Sequence, residues 1–269
     1  MVARAAAVFG HSLSGTVFLV GAGPGAPDLL TLRAARLLEQ ADIVFHDALV
    51  HPDTLALAEK AQKVAVGKRC GRHSTAQKFI NKRLVDAALT HKIVVRLKGG
   101  DPMLFGRAQE EIDALSEAGI AFEVVPGITA ALAASAQIGV SLTRRGLSRS
   151  IAFVTPRVGL GEAGHAGDWV AGALAADSVA IYMGAGQAEA ISVALIARGR
   201  DPGTPVALVE SASLAQASVH YGTLRALPEL AAASGKGPVV ILLGEVLREK
   251  LEARIAPARE QHKRYAATA

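Results

Sequence analysis

The chain has 269 residues, 51% hydrophobic and including 27 glycines, enough to bury a sizeable core as one large domain or two moderate α/β domains. Twenty-nine Lys and Arg against 24 Asp and Glu leave +5 at pH 7, which suits an acidic ligand, a nucleic acid or an anionic surface without choosing among them. The single cysteine, Cys70, excludes an internal disulfide framework and any multi-cysteine metal site, and no apolar run reaches the roughly 18 residues that a membrane span needs.

At the start of the chain, Gly10, His11 and Ser12 interrupt the apolar patch of "MVARAAAVFGHSLSG", so residues 1–14 are read as a disordered N-terminal extension. From Thr16 onward, short β-branched runs alternate with longer Ala/Leu-rich segments. That alternation predicts βαβ units around a largely parallel sheet. Strands are expected at 16–20, 42–46, 63–67, 92–97 and 122–125, each followed by a loop rich in Gly, Pro or charge. Helix starts are expected at Pro52 after His51, and at Ser74 with Gln77 as a capping box. The alternation pauses in the basic stretch "SLTRRGLSRS", residues 141–150, and resumes with further strands at 151–155, 178–184, 204–210, 218–224 and 237–246. Beyond Val246 the dense charges predict a short solvated helix and a frayed tail. The expected organisation is an extension over 1–14, α/β domains over 15–145 and 146–247, and a charged tail over 248–269.

Five loops follow the strand ends of the first domain, where open α/β sheets place their ligands. "GAGPGAPDLLT", Gly21 to Thr31, passes the pattern of a dinucleotide fingerprint. Pro24 lacks an N–H where a pyrophosphate would need one, and Pro27 sets the helix start after the motif. In "HDALV", Asp47 ends an apolar strand and is followed by apolar residues, a setting for a general base or for a plain turn former. "GKRCGRHS" gathers Lys68, Arg69, Arg72 and His73 beside glycines, as a solvated face or as a grip for carboxylates. "KGGDP" and "VPGITAALAAS" let a ligand approach backbone at Gly99, Gly100 and Gly127. No zinc signature occurs among the eight histidines, and there is neither a G-x-S-x-G elbow nor a P-loop. No metal site is therefore expected.

Taken in order, "VGAGPGAPDLLTLRAARLLEQADIVFHDALV", "VGKRCGRHS", "VVRLKGGDPMLFGR", "VPGITAALAASAQIGVSLTRRG", "IYMG" and "TPVALVE" resemble the uroporphyrinogen-III C-methyltransferases of the tetrapyrrole methylase family, over about residues 15–247. The resemblance implies an α/β fold of two domains in the tetrapyrrole methylase architecture, with a ligand cleft between the domains. It also implies a homodimer using S-adenosylmethionine and releasing S-adenosylhomocysteine; the single cysteine suits a reducing cytoplasm, and neither membrane nor nucleic-acid partners are expected. The implied reaction is methylation of uroporphyrinogen III at C-2 and C-7 to precorrin-2, toward sirohaem or cobalamin. Carried over motif by motif, the cofactor residues are Pro24, Gly99, Gly100, Asp101, Leu104, Thr129, Ala130, Met183 and Ala212. Asp47 matches the family's proposed proton acceptor and Lys68 its proposed donor; Arg69, Arg72 and Arg107 are candidate grips for substrate carboxylates. Arg96 and Lys98 are assigned to the strand below the glycine loop.

Three other readings remain open from the residues. Enzymes of the same fold methylate later corrinoid precursors, diphthine or ribosomal RNA, and the first loop also admits an NAD-dependent dehydrogenase or a non-catalytic nucleotide-binding regulator.

Overall fold

The computed structural model describes residues 14–66, 73–156 and 168–254. Lys68, Arg69, Cys70 and Arg72, the extension up to residue 13 and the tail after residue 254 lie outside the described residues. The chain separates into two compact units, one formed by Leu30–Gly127 with the chain up to Ala22, the other by the chain from Ile128 with Gly23–Leu29.

The first unit holds strands β1 (Thr16–Gly21), β2 (Ile43–His46), β3 (Gln62–Ala65), β4 (Ile93–Lys98) and β5 (Ala121–Val125), and helices α1 (Leu32–Gln40), α2 (Pro52–Ala56), α3 (His73–Ala88) and α4 (Ala108–Glu117). The sheet is wholly parallel in the order β3-β2-β4-β1-β5. The two-residue period of a strand divides its apolar side chains between two layers. Val17, Leu19, Phe45 and Val94 pack with Leu84 of α3 and Leu115 of α4, whereas Val20, Val44, Val95 and Leu97 pack with Ala34 and Leu38 of α1. Two helix starts differ in their chemistry. His51 caps α2 ahead of Pro52 as expected, but α3 begins at His73, before Ser74, and the Gln77 amide donates to Asn81 and Glu111 instead of closing a capping box. Tertiary partners outcompete the local cap.

The second unit holds α5 (Ala130–Ile138), β6 (Ile151–Val154), α6 (Trp169–Ala175), β7 (Ser178–Tyr182), α7 (Ala188–Ala197), β8 (Pro205–Glu210), β9 (Ser218–Thr223), α8 (Leu227–Ala233) and β10 (Val239–Gly244). Its sheet runs β6-β7-β10-β8-β9, and only β6 and β7 are neighbours in parallel. The expectation of a largely parallel sheet fails here for a topological reason. Helices α6 and α7 link β6, β7 and β8 in the same direction, but β10 enters between β7 and β8 antiparallel to both, and β9 returns from β8 as an edge hairpin. Helix α5 packs on this sheet through Ala131, Ala134 and Ile138, in one cluster with Ala180, Ala207 and Leu242. The unit boundary accordingly falls between Gly127 and Ile128, earlier than the expected break after residue 145. Residues 248–254 are helical, and Leu251 is buried, so this helical segment is anchored where a wholly solvated helix was expected.

Each sheet has an aspartate clamp at the entry of one strand. Asp42 Oδ2 accepts from the Lys92 and Ile93 amides at 2.9 and 2.8 Å, tying the start of β2 to that of β4. Asp177 Oδ2 accepts from the Arg149 and Ser150 amides at 2.8 and 3.0 Å and from Ser150 Oγ at 2.8 Å, doing the same for β7 and β6. The Arg149 amide, followed by the two Ser150 donors, holds the Asp177 carboxyl below its ordinary value of 3.8. A carboxylate lowered by folding stabilises the fold above its unfolded pKa and ceases to do so as pH falls through the folded one. Asp177→Asn should therefore melt below the wild-type protein at pH 7, with the gap closing as pH drops below about 4. Thermal melts of both proteins across that window check this; a gap that stays constant with pH would contradict it.

Candidate functional site

In β4 the alternation that places Val95 and Leu97 on one face places Arg96 and Lys98 on the face of α3 and α4, where two charges enter an apolar layer. Glu111 of α4 meets them. Its Oε1 accepts from Arg96 Nε at 3.0 Å, Lys98 Nζ at 2.9 Å and Gln77 Nε2 at 3.2 Å. The Arg96 fork also reaches the other way, donating from Nη2 to Asp47 Oδ1 at 2.6 Å and from Nη1 to the Leu97 carbonyl at 3.2 Å. Side-chain exposure is 3% for Arg96, 3% for Lys98 and 0% for Glu111, against 31% for Asp47. The chain of charges thus runs from a dry interior to a half-open carboxylate. Burial by itself would lower the Arg96 pKa, but Glu111 and Asp47 outweigh it and hold the guanidinium above the ordinary arginine value. Burial, then the neighbouring Arg96 charge, lowers the Lys98 pKa against the pull of Glu111.

Just beyond β4, three glycines from different segments pack backbone to backbone. A Cβ on Gly21 would lie 2.6 Å from Gly127 and 2.7 Å from the Gly100 carbonyl, and one on Gly127 would collide with that same carbonyl. No larger residue fits at either place. Gly100 has φ 69°. Asp101 locks the turn, Oδ1 accepting from the Met103 amide at 2.8 Å and Oδ2 from the Gly127 amide at 2.9 Å. Its oxygens thus shape the loop, with their remaining lone pairs open to other donors. Leu104 follows in the same turn, its amide 3.3 Å from the Asp101 carbonyl. Phe105 and Arg107 adopt left-handed φ of 54° and 55°, uncommon for residues with side chains. Arg107 pairs with Glu110 on the next helical turn through Nε at 2.6 Å and Nη2 at 2.7 Å.

In the second unit the strand ends carry a similar concentration of unusual backbone. Met183 after β7 has φ 54°, and Ser211 and Ser213 flank Ala212 after β8 with φ 51° and 75°. Non-glycine residues are held in this region only where the surroundings fix them. For Ser211 and Ser213 those surroundings are visible: the Ser211 amide donates to the Pro238 carbonyl at 2.8 Å and the Ser213 amide to Gln137 Oε1 at 2.8 Å. Glu210, one residue earlier, is anchored by the Gly235 and Gly237 amides at 2.8 and 2.6 Å, which hold its carboxyl below the ordinary glutamate value. Pro24 lies in the Gly23–Leu29 excursion, where the Ala26 amide donates to Ser213 Oγ at 3.1 Å and Gly25 abuts Leu214. Tyr182 joins the end of β7 to the start of α5. Its hydroxyl lies 2.6 Å from Thr129 Oγ1 and accepts from the Ala131 amide at 3.1 Å.

The candidates therefore fall into two groups. Asp47, Gly99, Gly100, Asp101, Leu104 and Arg107 stand at or just beyond the ends of β2 and β4 in the first unit; Pro24, Thr129, Ala130, Met183 and Ala212 stand in the second. Lys68, Arg69 and Arg72 lie outside the described residues. Glu111 and Gln77 were not singled out for the site from the sequence, although two charges two residues apart in an apolar strand signal a buried counter-ion. The first loop is not built as a dinucleotide fingerprint: a 3₁₀ turn at Pro27–Leu29 separates its glycines from α1, whose N-cap is Thr31. Among the described residues no cluster of His, Cys, Asp and Glu could hold a metal, and no helix is long and apolar enough to cross a membrane.

Among curated proteins, the chain is 47% identical over 240 residues to siroheme synthase of Chromobacterium violaceum and 46% identical over 239 residues to that of Sodalis glossinidius, covering 88% of this chain in both cases. It spans about half the length of those relatives, 51% and 50%. Among solved structures, uroporphyrin-III C-methyl transferase from Thermus thermophilus complexed with S-adenyl homocysteine is 40% identical with a TM-score of 0.74, over 87% of this chain and 99% of that one. A cobalt precorrin-4 methyltransferase of cobalamin biosynthesis is 27% identical with a TM-score of 0.76, over 86% of this chain and 95% of that one. Diphthine synthase, 16% identical with a TM-score of 0.62, shares the fold. The family model for Tetrapyrrole (Corrin/Porphyrin) Methylases matches residues 16–228, and with these identities it shows that the chain belongs to that family.

Proposed function

We propose that the protein is an S-adenosylmethionine-dependent C-methyltransferase that converts uroporphyrinogen III, by methylation at C-2 and C-7, to precorrin-2. The observation that carries this reading is the backbone at the ends of β4, β7 and β8: left-handed turns at Gly100, Met183, Ser211 and Ser213 border the positions the family uses for its cofactor. The 40% identity to a methyl transferase solved with S-adenyl homocysteine supports it. We also read the chain as a cytoplasmic homodimer, an assignment that rests on the resemblance and, for the compartment, on the single cysteine.

The residues present fit such a cofactor. At Gly99 a Cβ would meet only Leu49, at 3.4 Å, so backbone there is open to close approach, and Thr129 brings a hydroxyl beside the backbone that begins α5. In this reading Pro24, Gly99, Gly100, Asp101, Leu104, Thr129, Ala130, Met183 and Ala212 would hold it. When bound, the sulfonium supplies an activated methyl group, so the protein's task is alignment, exclusion of water and proton management. Asp47, partly exposed and held from behind by Arg96, is the proposed acceptor of the proton that the macrocycle gives up as the new carbon–carbon bond forms. Lys68 is the proposed proton donor. Arg69 and Arg72 are the proposed grips for the acetate and propionate groups of the substrate; Arg107 already shares its fork with Glu110, so a substrate carboxylate there would have to compete.

Two outcomes check this reading. Titration calorimetry should show binding of S-adenosylhomocysteine and none of NAD, and incubation with uroporphyrinogen III and S-adenosylmethionine should develop the absorption of oxidised precorrin-2. Asp47→Asn should keep cofactor affinity and lower turnover by about a hundredfold to ten-thousandfold, as loss of a general base does. Wild-type turnover in that variant would make Asp47 structural. Gly127→Ala tests the glycine junction: overpacking against the Gly100 carbonyl should cost about 1–3 kcal/mol of stability, displace the loop and weaken S-adenosylhomocysteine binding. Unchanged melting and affinity would show that the junction tolerates a side chain.

A further inference from the structure

We propose that Glu111 is a positioning residue: by fixing the Arg96 guanidinium from inside the domain, it sets the placement of the Asp47 carboxylate. The inference rests on the reading of Asp47 as proton acceptor and adds to it the means by which that group is held. Arg96 binds two carboxylates through different nitrogens, Glu111 at Nε and Asp47 at Nη2, and its guanidinium is planar and rigid. Anchoring it at one nitrogen therefore limits where the other can point. Asp47 itself follows β2 in a loop, where its amide makes a long 3.3 Å hydrogen bond to the Leu97 carbonyl. Its carboxylate takes the Arg96 Nη2 donor at 2.6 Å. Lys98 and Gln77 complete the arrangement by donating to the same Glu111 oxygen, and among the described residues Glu111 Oε2 has no hydrogen-bond partner.

Packing alone does not account for this cluster. Buried ion pairs contribute little net stability compared with apolar residues of the same size, so a core strand carrying Arg96 and Lys98 against Glu111 costs more than an aliphatic layer would. The cluster also has an orientation that stability does not require, since its one partly exposed member is Asp47. A catalytic group misplaced by about 1 Å can lose on the order of a hundredfold in rate, which gives the rigid fork a use.

The test compares turnover, KM and S-adenosylhomocysteine affinity in four proteins, the wild type, a double variant, Asp47→Asn and the combination of the two. Glu111→Gln alone strands the buried Lys98 charge and leaves Arg96 with one carboxylate in place of two, and can fail to fold, so the decisive variant is Glu111→Gln with Lys98→Met, which removes one charge of each sign and leaves the Arg96–Asp47 pair. It should melt cooperatively and bind S-adenosylhomocysteine like the wild-type protein, while kcat falls about 10- to 100-fold with little change in KM. Adding Asp47→Asn to it should cost less than the same change costs alone, because both act at one carboxylate. A folded double variant with wild-type kcat, or losses that multiply independently, would overturn the proposal. Full turnover in Asp47→Asn by itself would overturn the reading of Asp47 as base, and with it this inference; loss in Asp47→Asn beside normal turnover in the double variant would overturn the inference alone.

Discussion

A guanidinium buried in β4 ties the interior of the first unit to the place where chemistry is proposed. Glu111 and Asp47 offset the burial of the Arg96 charge, and Glu111 could not stay ionised at zero exposure without Arg96 and Lys98. The sheet order puts β4 between β2 and β1, so the strand that carries the cations also lies next to the strand that ends at Asp47. Helix α4 brings Glu111 over the same face after the left-handed turn at Arg107, and α3 adds Gln77. Topology, charge and the position of one carboxylate are thus parts of a single arrangement.

The second unit solves a different problem. Its strand ends supply backbone in conformations that side chains resist, at Met183, Ser211 and Ser213; the Ser211 amide is held by the Pro238 carbonyl and the Ser213 amide by Gln137 Oε1, while Glu210 just before them accepts from the Gly235 and Gly237 amides. Such backbone persists only where the rest of the fold over-determines it. The Tyr182 hydroxyl has an analogous role for α5, supplying the first turn with an acceptor at the Ala131 amide while contacting Thr129.

Strands were legible because β-branched runs stand out from Ala/Leu-rich helices, and each expected strand has a counterpart. The parallel sheet followed from crossover helices in the first unit. In the second, the insertion of β10 between β7 and β8 depends on pairing far along the chain, which no local pattern records. Ser74 and Gln77 read as a cap because the local spacing fits, whereas the Gln77 amide is claimed by Glu111 across the domain. Gly99, Gly100 and Asp47 were legible as loop chemistry at strand ends. Glu111 was not, because an acid in the first turn of a helix reads as a solvated helix start until the strand beneath it is known. The left-handed Met183 and Ser211 were hidden for the same reason, since nothing in a methionine or serine announces a positive φ.

The central claim is that this chain moves methyl groups from S-adenosylmethionine to carbon atoms of a tetrapyrrole. The most direct measurement is ¹³C NMR of the product formed from uroporphyrinogen III and S-adenosylmethionine labelled with ¹³C in its methyl group. The account predicts new label on carbon at C-2 and C-7 of the macrocycle; label on a nitrogen or oxygen, or label that stays in the donor when both reactants and folded protein are present, would contradict it.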